Sequence, residues 1–318
     1  ADTFKKNMPD AEVIVGDITD DKTRDRIIIE SKLKGVNMII GGPPCQGFSM
    51  KGKKLGLNDP RNFLFMEYLN LVQEIQPEVF VIENVKSLLN TADGWFKDEI
   101  LNYIHKSGYK VQYGVLNAKK FGVPQARERA IFICSKHKDI TLPKGNESIV
   151  TVRDAISDLA YLQSAEGEFE QEYITEPETE YQKLMRKGSK CLYNHKASAH
   201  SEKALEKLAM IPAEKGKEYL PEELWGKQKF NTTWGRLVWD DVSPTIDTRF
   251  DTPSNGTNSH PELNRAITPR EAARIQSFDD NFVFYGSKFY IRSQIGNAVP
   301  PLLAEAIADR IWEMYRNE

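Results

Sequence analysis

The chain has 318 residues, of which 40% are hydrophobic and 28% are charged, and its formal net charge is -3. This length allows two domains, and this composition is that of a globular protein rather than a disordered chain. A charge so close to zero excludes a chain that binds polyanions over its whole surface, so any nucleic-acid site must be a local patch. The sequence contains neither a signal peptide nor an apolar run of about eighteen residues, and we expect a cytoplasmic protein.

The three cysteines, Cys45, Cys134 and Cys191, lie far apart and form no Cys-x-x-Cys pair. Their spacing excludes a disulfide framework and a cysteine zinc site, and it suits a reducing cytosol. We therefore expect no metal site.

The first predicted strand covers residues 11–15 and is followed by Gly16 and Asp17. An acidic residue just past the end of a strand can hydrogen-bond a ligand of the nucleoside type. An aspartate in such a loop is also a common capping residue. Both alternatives remain open for Asp17 from the residues alone.

A short buried strand is predicted over residues 36–40, directly before the sequence Gly41-Gly42-Pro43-Pro44-Cys45-Gln46-Gly47-Phe48-Ser49. The prolines end the strand because proline cannot donate to a sheet. Cys45 therefore lies on a stiff turn at the carboxyl end of a strand, where open α/β sheets bind ligands. It is either a small buried hydrophobe or a nucleophile. Residues 50–61 show no periodicity and predict a long loop, either a solvated basic loop or a closing lid.

A helix is predicted over residues 62–76 from its apolar spacing, with Pro77 as the stop signal. The apolar strand that follows, residues 79–82, delivers Glu83 to its carboxyl end. A carboxylate beside an apolar run can serve as a general acid, and the alternative is a surface glutamate at a strand exit.

Further along, a helix is predicted over residues 95–105 and strands over 109–116 and 130–134. Arg127 and Arg129 are two residues apart at the start of the last strand, so we expect them to point the same way and to hold an anion or a carbonyl edge. The alternation of strands and helices predicts a mainly parallel sheet.

The composition changes after about Pro143, and residues 151–265 combine short β segments with aromatic residues, arginines and turns. This mixture predicts a smaller recognition domain, and the alternative is an irregular insertion. Thr268 is predicted to cap a helix that has Pro269 in its first turn and Glu271 at capping-box spacing. Residues 294–301 are predicted to form a turn that opens the last helix, residues 302–315.

Together these stretches resemble the DNA (cytosine-5) methyltransferases over nearly the whole chain. The residues from Gly42 to Ser49 resemble the catalytic-cysteine motif of that family, and Glu83-Asn84-Val85 resembles its ENV motif. Three further motifs are similar: QxRxR at residues 125–129, RxxxPRExxR at 265–274, and QxGNxV at 294–299. Five motifs in the family's order make the resemblance specific, and the short chain is similar to the prokaryotic restriction–modification type.

The resemblance implies an α/β fold, with a Rossmann-like methyltransferase sheet that is mixed and mostly parallel. Residues 1–150 and 266–318 would form the catalytic domain, and residues 151–265 a smaller, mainly β or irregular target-recognition domain. The implied reaction is transfer of a methyl group from S-adenosylmethionine to carbon 5 of a flipped-out cytosine in duplex DNA. The implied catalytic residues are Cys45 as the nucleophile, Glu83 as a protonated acid, and Arg129 with Arg127 in support.

The resemblance also implies sites for the cofactor and for DNA. The cofactor-binding residues would be Asp17, Ile18, Pro44, Leu64, Asn297, Ala298 and Val299. The DNA-binding residues would be Pro43, Ser49, Lys51, Lys53, Arg61, Gln125, Arg236, Thr248 and Arg249. The family's FxGxG motif is not found in the sequence, so we expect it on an additional N-terminal segment, on a second polypeptide, or not at all in a non-catalytic partner.

Two other functions remain open from the sequence. A non-catalytic DNA-binding or regulatory subunit of the same fold would show the same architecture without methyl transfer. An RNA cytosine-5 methyltransferase is the second alternative, and the absence of a Cys-Phe-Thr signature counts against it.

Overall fold

The structure is a computed structural model that describes residues 1–44, 63–226 and 231–316. Its helices are α1 (Asp2–Asn7), α2 (Asp21–Leu33), α3 (Phe63–Ile75), α4 (Trp95–Lys106), α5 (Val152–Ile156), α6 (Glu180–Arg186), α7 (Glu202–Met210), α8 (Pro269–Ile275), α9 (Lys288–Asn297) and α10 (Pro301–Arg316). Its strands are β1 (Met38–Gly41), β2 (Val79–Val85), β3 (Lys110–Asn117), β4 (Glu128–Ser135), β5 (Glu170–Gln171), β6 (Leu192–Tyr193), β7 (Gly235–Arg236) and β8 (Thr257–Ser259). The predicted α/β class is confirmed.

The chain divides into two compact units. One, the sheet unit, consists of Glu12–Asn117, Glu128–Lys144 and Ala306–Glu318. The other, the mixed unit, consists of Ala1–Ala11, Ala118–Arg127 and Gly145–Glu305. The mixed unit thus contains residues 266–305 together with the variable segment. The functional division into catalytic and recognition domains stays a prediction.

The sheet unit contains a four-stranded mixed sheet in the order β1-β2-β4-β3. β1 runs parallel to β2, whereas β4 is antiparallel to both β2 and β3. The prediction of a mixed sheet is confirmed, but a mostly parallel arrangement is wrong for the described strands. The connection from β3 to β4 explains this, because residues 118–127 are too few for the helical crossover that parallel neighbours need.

The first part of the sheet unit differs from the sequence prediction. Residues 11–15 are not a strand, and Val15 is 66% exposed. A strand needs a neighbour for its backbone groups, and none of the described strands pairs with this stretch. β1 is confirmed as a strand but not as a buried one, since Ile40 is 73% exposed. Its side chains alternate between faces, and Ile39 packs against the core while Ile40 points away from it.

The core of the sheet unit lies between the sheet and helices α3 and α4. The helical spacing of apolar residues on α3 places Phe65, Leu69 and Val72 against the sheet, as predicted. Gln76 adopts a left-handed φ of 58° directly before Pro77, and these two residues end the helix. On the opposite face of β4, the Ser135 hydroxyl shares a hydrogen bond of 2.8 Å with the Tyr315 hydroxyl of α10.

The mixed unit is built around the buried helix α8. Thr268 and Glu271 form the predicted capping box: the Thr268 hydroxyl accepts from the Glu271 backbone N–H, and the Glu271 carboxylate accepts from the Thr268 N–H. Apolar residues of α8 share one core cluster with residues of α5 and α9 and with Leu237, which follows β7; the cluster includes Ala272, Ala273, Ile275, Ile156 and Ile295.

The segment that contains the QxGNxV motif is mostly helical. Gln294 to Asn297 form the end of α9, so the predicted turn begins only at Ala298. The glycine of this motif is required by close packing rather than by a turn. A Cβ on Gly296 would lie 2.5 Å from the Asp247 carbonyl carbon, a distance that side-chain carbons do not adopt.

Candidate active site

The carboxyl end of β2 carries an ion pair between Glu83 and Arg129. The Arg129 Nε lies 2.8 Å from Glu83 Oε1, and the two side chains are 13% and 19% exposed. The strand register brings them together: Arg129 on β4 lies opposite Val85, and Glu83 is its diagonal neighbour on the same face. Burial lowers the pKa of Arg129, and the attraction to Glu83 acts in the opposite direction. The guanidinium in turn stabilises the carboxylate form of Glu83.

The residues that follow β1 contact the same end of β2. A Cβ on Gly42 would lie 2.9 Å from Glu83 Oε2, so this position is adjacent to the carboxylate. The Asn84 Nδ2 donates to the Pro43 carbonyl oxygen over 2.9 Å. Gly42 and Pro43 therefore lie beside the Glu83–Arg129 pair, and Cys45 follows two residues later in the sequence.

Five of the predicted site residues lie outside the described part of the chain. These are Cys45, Ser49, Lys51, Lys53 and Arg61. Their roles stay predictions, and so does the loop predicted for residues 50–61.

The predicted cofactor residues of the sheet unit are accessible to a ligand. Asp17, Pro44 and Leu64 are exposed, and Ile18 is half-buried. The Thr19 backbone N–H donates to Asp17 Oδ1 over 3.0 Å and lowers the pKa of Asp17. Asp17 is therefore a carboxylate that can accept from a nucleoside amine or hydroxyl. In the mixed unit, Asn297 is exposed and Ala298 and Val299 are half-buried.

Gln125 and Arg127 hold one segment of the mixed unit in place. Gln125 is fully buried, with its Oε1 accepting from the Ile246 N–H and its Nε2 donating to Gln276 Oε1. Arg127 is also buried and donates to the carbonyl oxygens of Ile246 and Gly296 at 3.0 and 2.9 Å. The predicted DNA contact of Gln125 is therefore wrong. Arg127 lies before β4, and its guanidinium donates to backbone carbonyls. The prediction that Arg127 binds an anion alongside Arg129 is therefore also wrong.

Arg236 is likewise a structural residue. It is 3% exposed, and its guanidinium donates five hydrogen bonds, which is the number of N–H groups that arginine has. The acceptors are the carbonyl oxygens of Leu208, Ile211, His260 and Leu263 and the side-chain oxygen of Asn264. The predicted DNA contact is wrong, because no donor remains for a phosphate.

Thr248 and Arg249 lie next to the segment that Gln125 and Arg127 hold. Arg249 is exposed and Thr248 is half-buried. The Asp247 carboxylate accepts from the Arg249 backbone N–H and from Asn255 Nδ2, at 2.6 and 2.8 Å. This turn presents both residues at the surface of the mixed unit, and their DNA contact stays a prediction.

The arginines of the RxxxPRExxR motif are buried in the mixed unit. Arg265 forms a two-bond ion pair with Glu271, with both N–O distances at 2.7 Å. Arg274 pairs with Asp280 and Asp158, and Arg270 donates to three backbone carbonyls. Asp158 and Asp280 could not be predicted as partners, because nothing in their local sequence distinguishes them from surface aspartates.

Two buried histidines make this unit sensitive to acid. Burial lowers the pKa of His195 to about 4 and that of His260 to about 3. Both therefore stay neutral in the folded protein, whereas the unfolded chain takes up protons below about pH 6.5. Stability contributed by the neutral histidines is present above that pH and is lost as the pH falls towards the folded-state values.

We expect the free energy of unfolding to fall as the pH decreases from 6.5 to 4. The shift of His195 alone corresponds to on the order of 3 kcal/mol at pH 4. Urea unfolding at a series of pH values measures the effect, and a His195→Gln variant should show a shallower pH dependence than the wild type. A free energy of unfolding that is constant from pH 7 to 4.5 would contradict this expectation.

Comparison with known proteins agrees with this architecture. Residues 1–313 match the family described as C-5 cytosine-specific DNA methylase. The chain is 36% identical over 99% of its length to the Type II methyltransferase M.DdeI of Desulfomicrobium norvegicum, and it covers 81% of that protein. It is 37% identical over its full length to the Type II methyltransferase M1.HphI of Haemophilus parahaemolyticus, of which it covers 79%.

A solved structure extends the match to three dimensions. A crystal structure described as a DNA modification methyltransferase encoded within an E. coli prophage superposes with a TM-score of 0.77 at 25% identity. The match covers 99% of this chain and 90% of that one. The mixed sheet is thus that of a Rossmann-like methyltransferase. The chain belongs to the C-5 cytosine-specific DNA methylase family and is a DNA (cytosine-5) methyltransferase.

No helix in the described ranges is both long and apolar enough to cross a bilayer.

Proposed function

We propose that the protein transfers a methyl group from S-adenosylmethionine to carbon 5 of a cytosine flipped out of duplex DNA, through a covalent bond to Cys45. The observation that carries the proposal is the contact of Gly42 and Pro43 with Glu83 and Asn84. It brings the residues just before the nucleophile to a paired carboxylate and guanidinium. A nucleophile and a proton donor that act on one ring must both be within reach of it.

The chemistry explains why these residue types are needed. Carbon 5 of cytosine is a weak nucleophile, so the Cys45 thiolate first adds to carbon 6 and forms a C–S bond. Ring nitrogen 3 takes a proton from Glu83 at the same stage, and carbon 5 becomes enamine-like. Carbon 5 would take the methyl group from the sulfonium, whose S–C bond breaks to leave S-adenosylhomocysteine. A base such as water would then remove the carbon 5 proton, the C–S bond would break to release the thiolate, and ring nitrogen 3 would return its proton to Glu83.

Glu83 must hold a proton for this reaction, although its pairing with Arg129 stabilises the carboxylate. We infer that the carbonyl oxygen of the entering cytosine accepts hydrogen bonds from the Arg129 guanidinium in place of Glu83. Loss of that contact removes the charge that stabilises the Glu83 carboxylate, and the apolar strand around it then favours the protonated acid. The Pro43 carbonyl accepts from Asn84 and has a second lone pair for the exocyclic amine of cytosine.

The exposed residues near Asp17 fit a nucleoside cofactor. Asp17 and Ile18 would contact the adenosine of S-adenosylmethionine, with Pro44 and Leu64 beside it. Asn297, Ala298 and Val299 of the mixed unit stay predicted cofactor-binding residues. The cofactor supplies an electrophilic methyl group on a sulfonium. The carboxylate of Asp17 is suited to the amine and hydroxyl groups of such a ligand.

Duplex DNA is the proposed partner, because a stacked base is out of reach of any nucleophile. The segment after Cys45, with Ser49, Lys51, Lys53 and Arg61, would meet the phosphates. Residues 151–265 would read base edges, with Thr248 and Arg249 at the surface. The Type II relatives support a role in a bacterial restriction–modification system, and hence a cytoplasmic location.

Methyl transfer to DNA tests this proposal directly. Duplex DNA is incubated with the protein and labelled S-adenosylmethionine, and the digested nucleosides are identified by mass spectrometry. One arm of the experiment contains the chain alone, and the other also contains a segment that carries an FxGxG motif. We expect 5-methylcytosine as the product, and none from a duplex whose cytosines are already methylated at carbon 5. DNA binding without methyl transfer in either arm would contradict the proposal and favour a regulatory subunit.

A further inference from the structure

Asn84 has no role in the reaction as described above, yet it is held firmly in place. It follows Glu83 on β2 and is buried. Its Nδ2 donates to the Pro43 carbonyl oxygen, and its Oδ1 accepts from the Val85 backbone N–H, both over 2.9 Å. With hydrogen bonds at both ends, the amide group has only one favourable orientation.

The end of β2 contacts the chain after β1 from two sides. Glu83 and Asn84 are neighbours on a strand, so their side chains leave the sheet on opposite faces. The Glu83 carboxylate lies beside Gly42, where only the absence of a Cβ allows the close approach. Asn84 holds Pro43, the next residue. Together these contacts leave Gly42 and Pro43 little freedom to shift relative to Glu83.

We propose that Asn84 is a positioning residue for methyl transfer, which fixes the Pro43 carbonyl relative to Glu83. This inference rests on the proposed function. In the proposed reaction the Pro43 carbonyl accepts from the exocyclic amine of cytosine and Glu83 gives a proton to ring nitrogen 3, so both groups must be fixed relative to the same edge of the base. A misplacement of reacting groups by about 1 Å costs on the order of 100-fold in rate. The hydrogen bond from Asn84 is thus a contact through which β2 orients the Pro43 carbonyl.

The variant Asn84→Asp tests this role, because it keeps the size of the side chain and the acceptor for Val85 but removes the donor to Pro43. We measure the rate of covalent adduct formation with a 5-fluorocytosine duplex at saturating DNA and S-adenosylmethionine. We expect a loss of about 100-fold in the maximal rate. The DNA concentration that gives the half-maximal rate should change by less than about threefold, because the Asn84 side chain is buried.

Asn194→Asp is the matched control. Asn194 is also buried, and its side chain donates to the Phe284 carbonyl oxygen and accepts from the Phe284 N–H, both at 2.9 Å. The control variant should lose thermal stability to a similar extent, but its rate of adduct formation per folded molecule should equal that of the wild type. Asn84→Ser provides a second test that introduces no charge, with rates normalised to the folded fraction measured by circular dichroism.

An adduct rate equal to that of the wild type in both Asn84 variants would overturn the positioning role. A rate that falls equally in the Asn194 control would also overturn it, since the effect would then be one of general stability. Failure of the proposed function itself looks different, because in that case the wild-type protein forms no adduct.

Discussion

Replacing Glu83 by glutamine is expected to lower the rate of methyl transfer by about 100-fold to 10,000-fold, the range that a positioned acid contributes. Glutamine has the same shape but cannot give a proton to ring nitrogen 3. The Cys45 thiolate would then have to add to a ring whose developing negative charge is not neutralised. The single-turnover rate of 5-methylcytosine formation measures the effect.

Protein stability should change little in Glu83→Gln. The side chains of Glu83 and Arg129 are 19% and 13% exposed, and the amide oxygen of the new glutamine can still accept a hydrogen bond from the Arg129 guanidinium. Glu128→Gln is the control, because Glu128 lies next to Arg129 on β4 and pairs with Lys86 instead. A Glu83→Gln variant as active as this control would exclude Glu83 as the acid.

Replacing Glu271 by glutamine is expected to reduce the free energy of unfolding by about 3–5 kcal/mol, the usual cost of removing one partner of a buried pair. Arg265 and Glu271 are both fully buried and form two hydrogen bonds of 2.7 Å. Burial raises the pKa of Glu271, but Arg265 outweighs this effect and holds the pKa at about 2. Glutamine can still cap α8, so the loss reports on the unpaired Arg265 charge rather than on the helix cap.

Urea unfolding measures the stability of Glu271→Gln. The control is Asp240→Asn, which breaks the exposed pair between Asp240 and Arg153 and should change the stability little, because water solvates both groups. Equal losses in the two variants would contradict the distinction between buried and exposed ion pairs. A double variant with Arg265→Met should recover part of the stability, since it removes the unpaired charge.

Local features of the fold could be predicted because their causes are local in sequence. The capping box of Thr268 and Glu271 predicted the start of α8, and the apolar spacing before Pro77 predicted α3. The apolar run of residues 79–82 predicted β2 and placed Glu83 at its carboxyl end. Each of these signals acts within a few residues, so tertiary contacts did not override it.

The errors concern side chains whose partners are distant in sequence. Gln125 and Arg236 are residue types that often contact DNA, but here both are buried. Arg236 donates to backbone carbonyls that lie 24 to 28 residues away.

 
Gln125 reaches Ile246 and Gln276, which lie 121 and 151 residues further along the chain. No local pattern distinguishes such an arginine or glutamine from one that faces solvent. The same reasoning applies to residues 11–15, whose apolar character predicts a strand only if a neighbouring strand is present to pair with it.

The covalent bond proposed between Cys45 and the target cytosine can be detected by trapping it. The protein is mixed with S-adenosylmethionine and a duplex that carries 5-fluorocytosine. Fluorine replaces the hydrogen at carbon 5 and cannot be removed as a proton, so the thiolate is not released. We predict an adduct that survives denaturation, maps by peptide mass spectrometry to Cys45, and is absent from Cys45→Ser. An adduct on another residue, or one that persists in Cys45→Ser, would contradict the account.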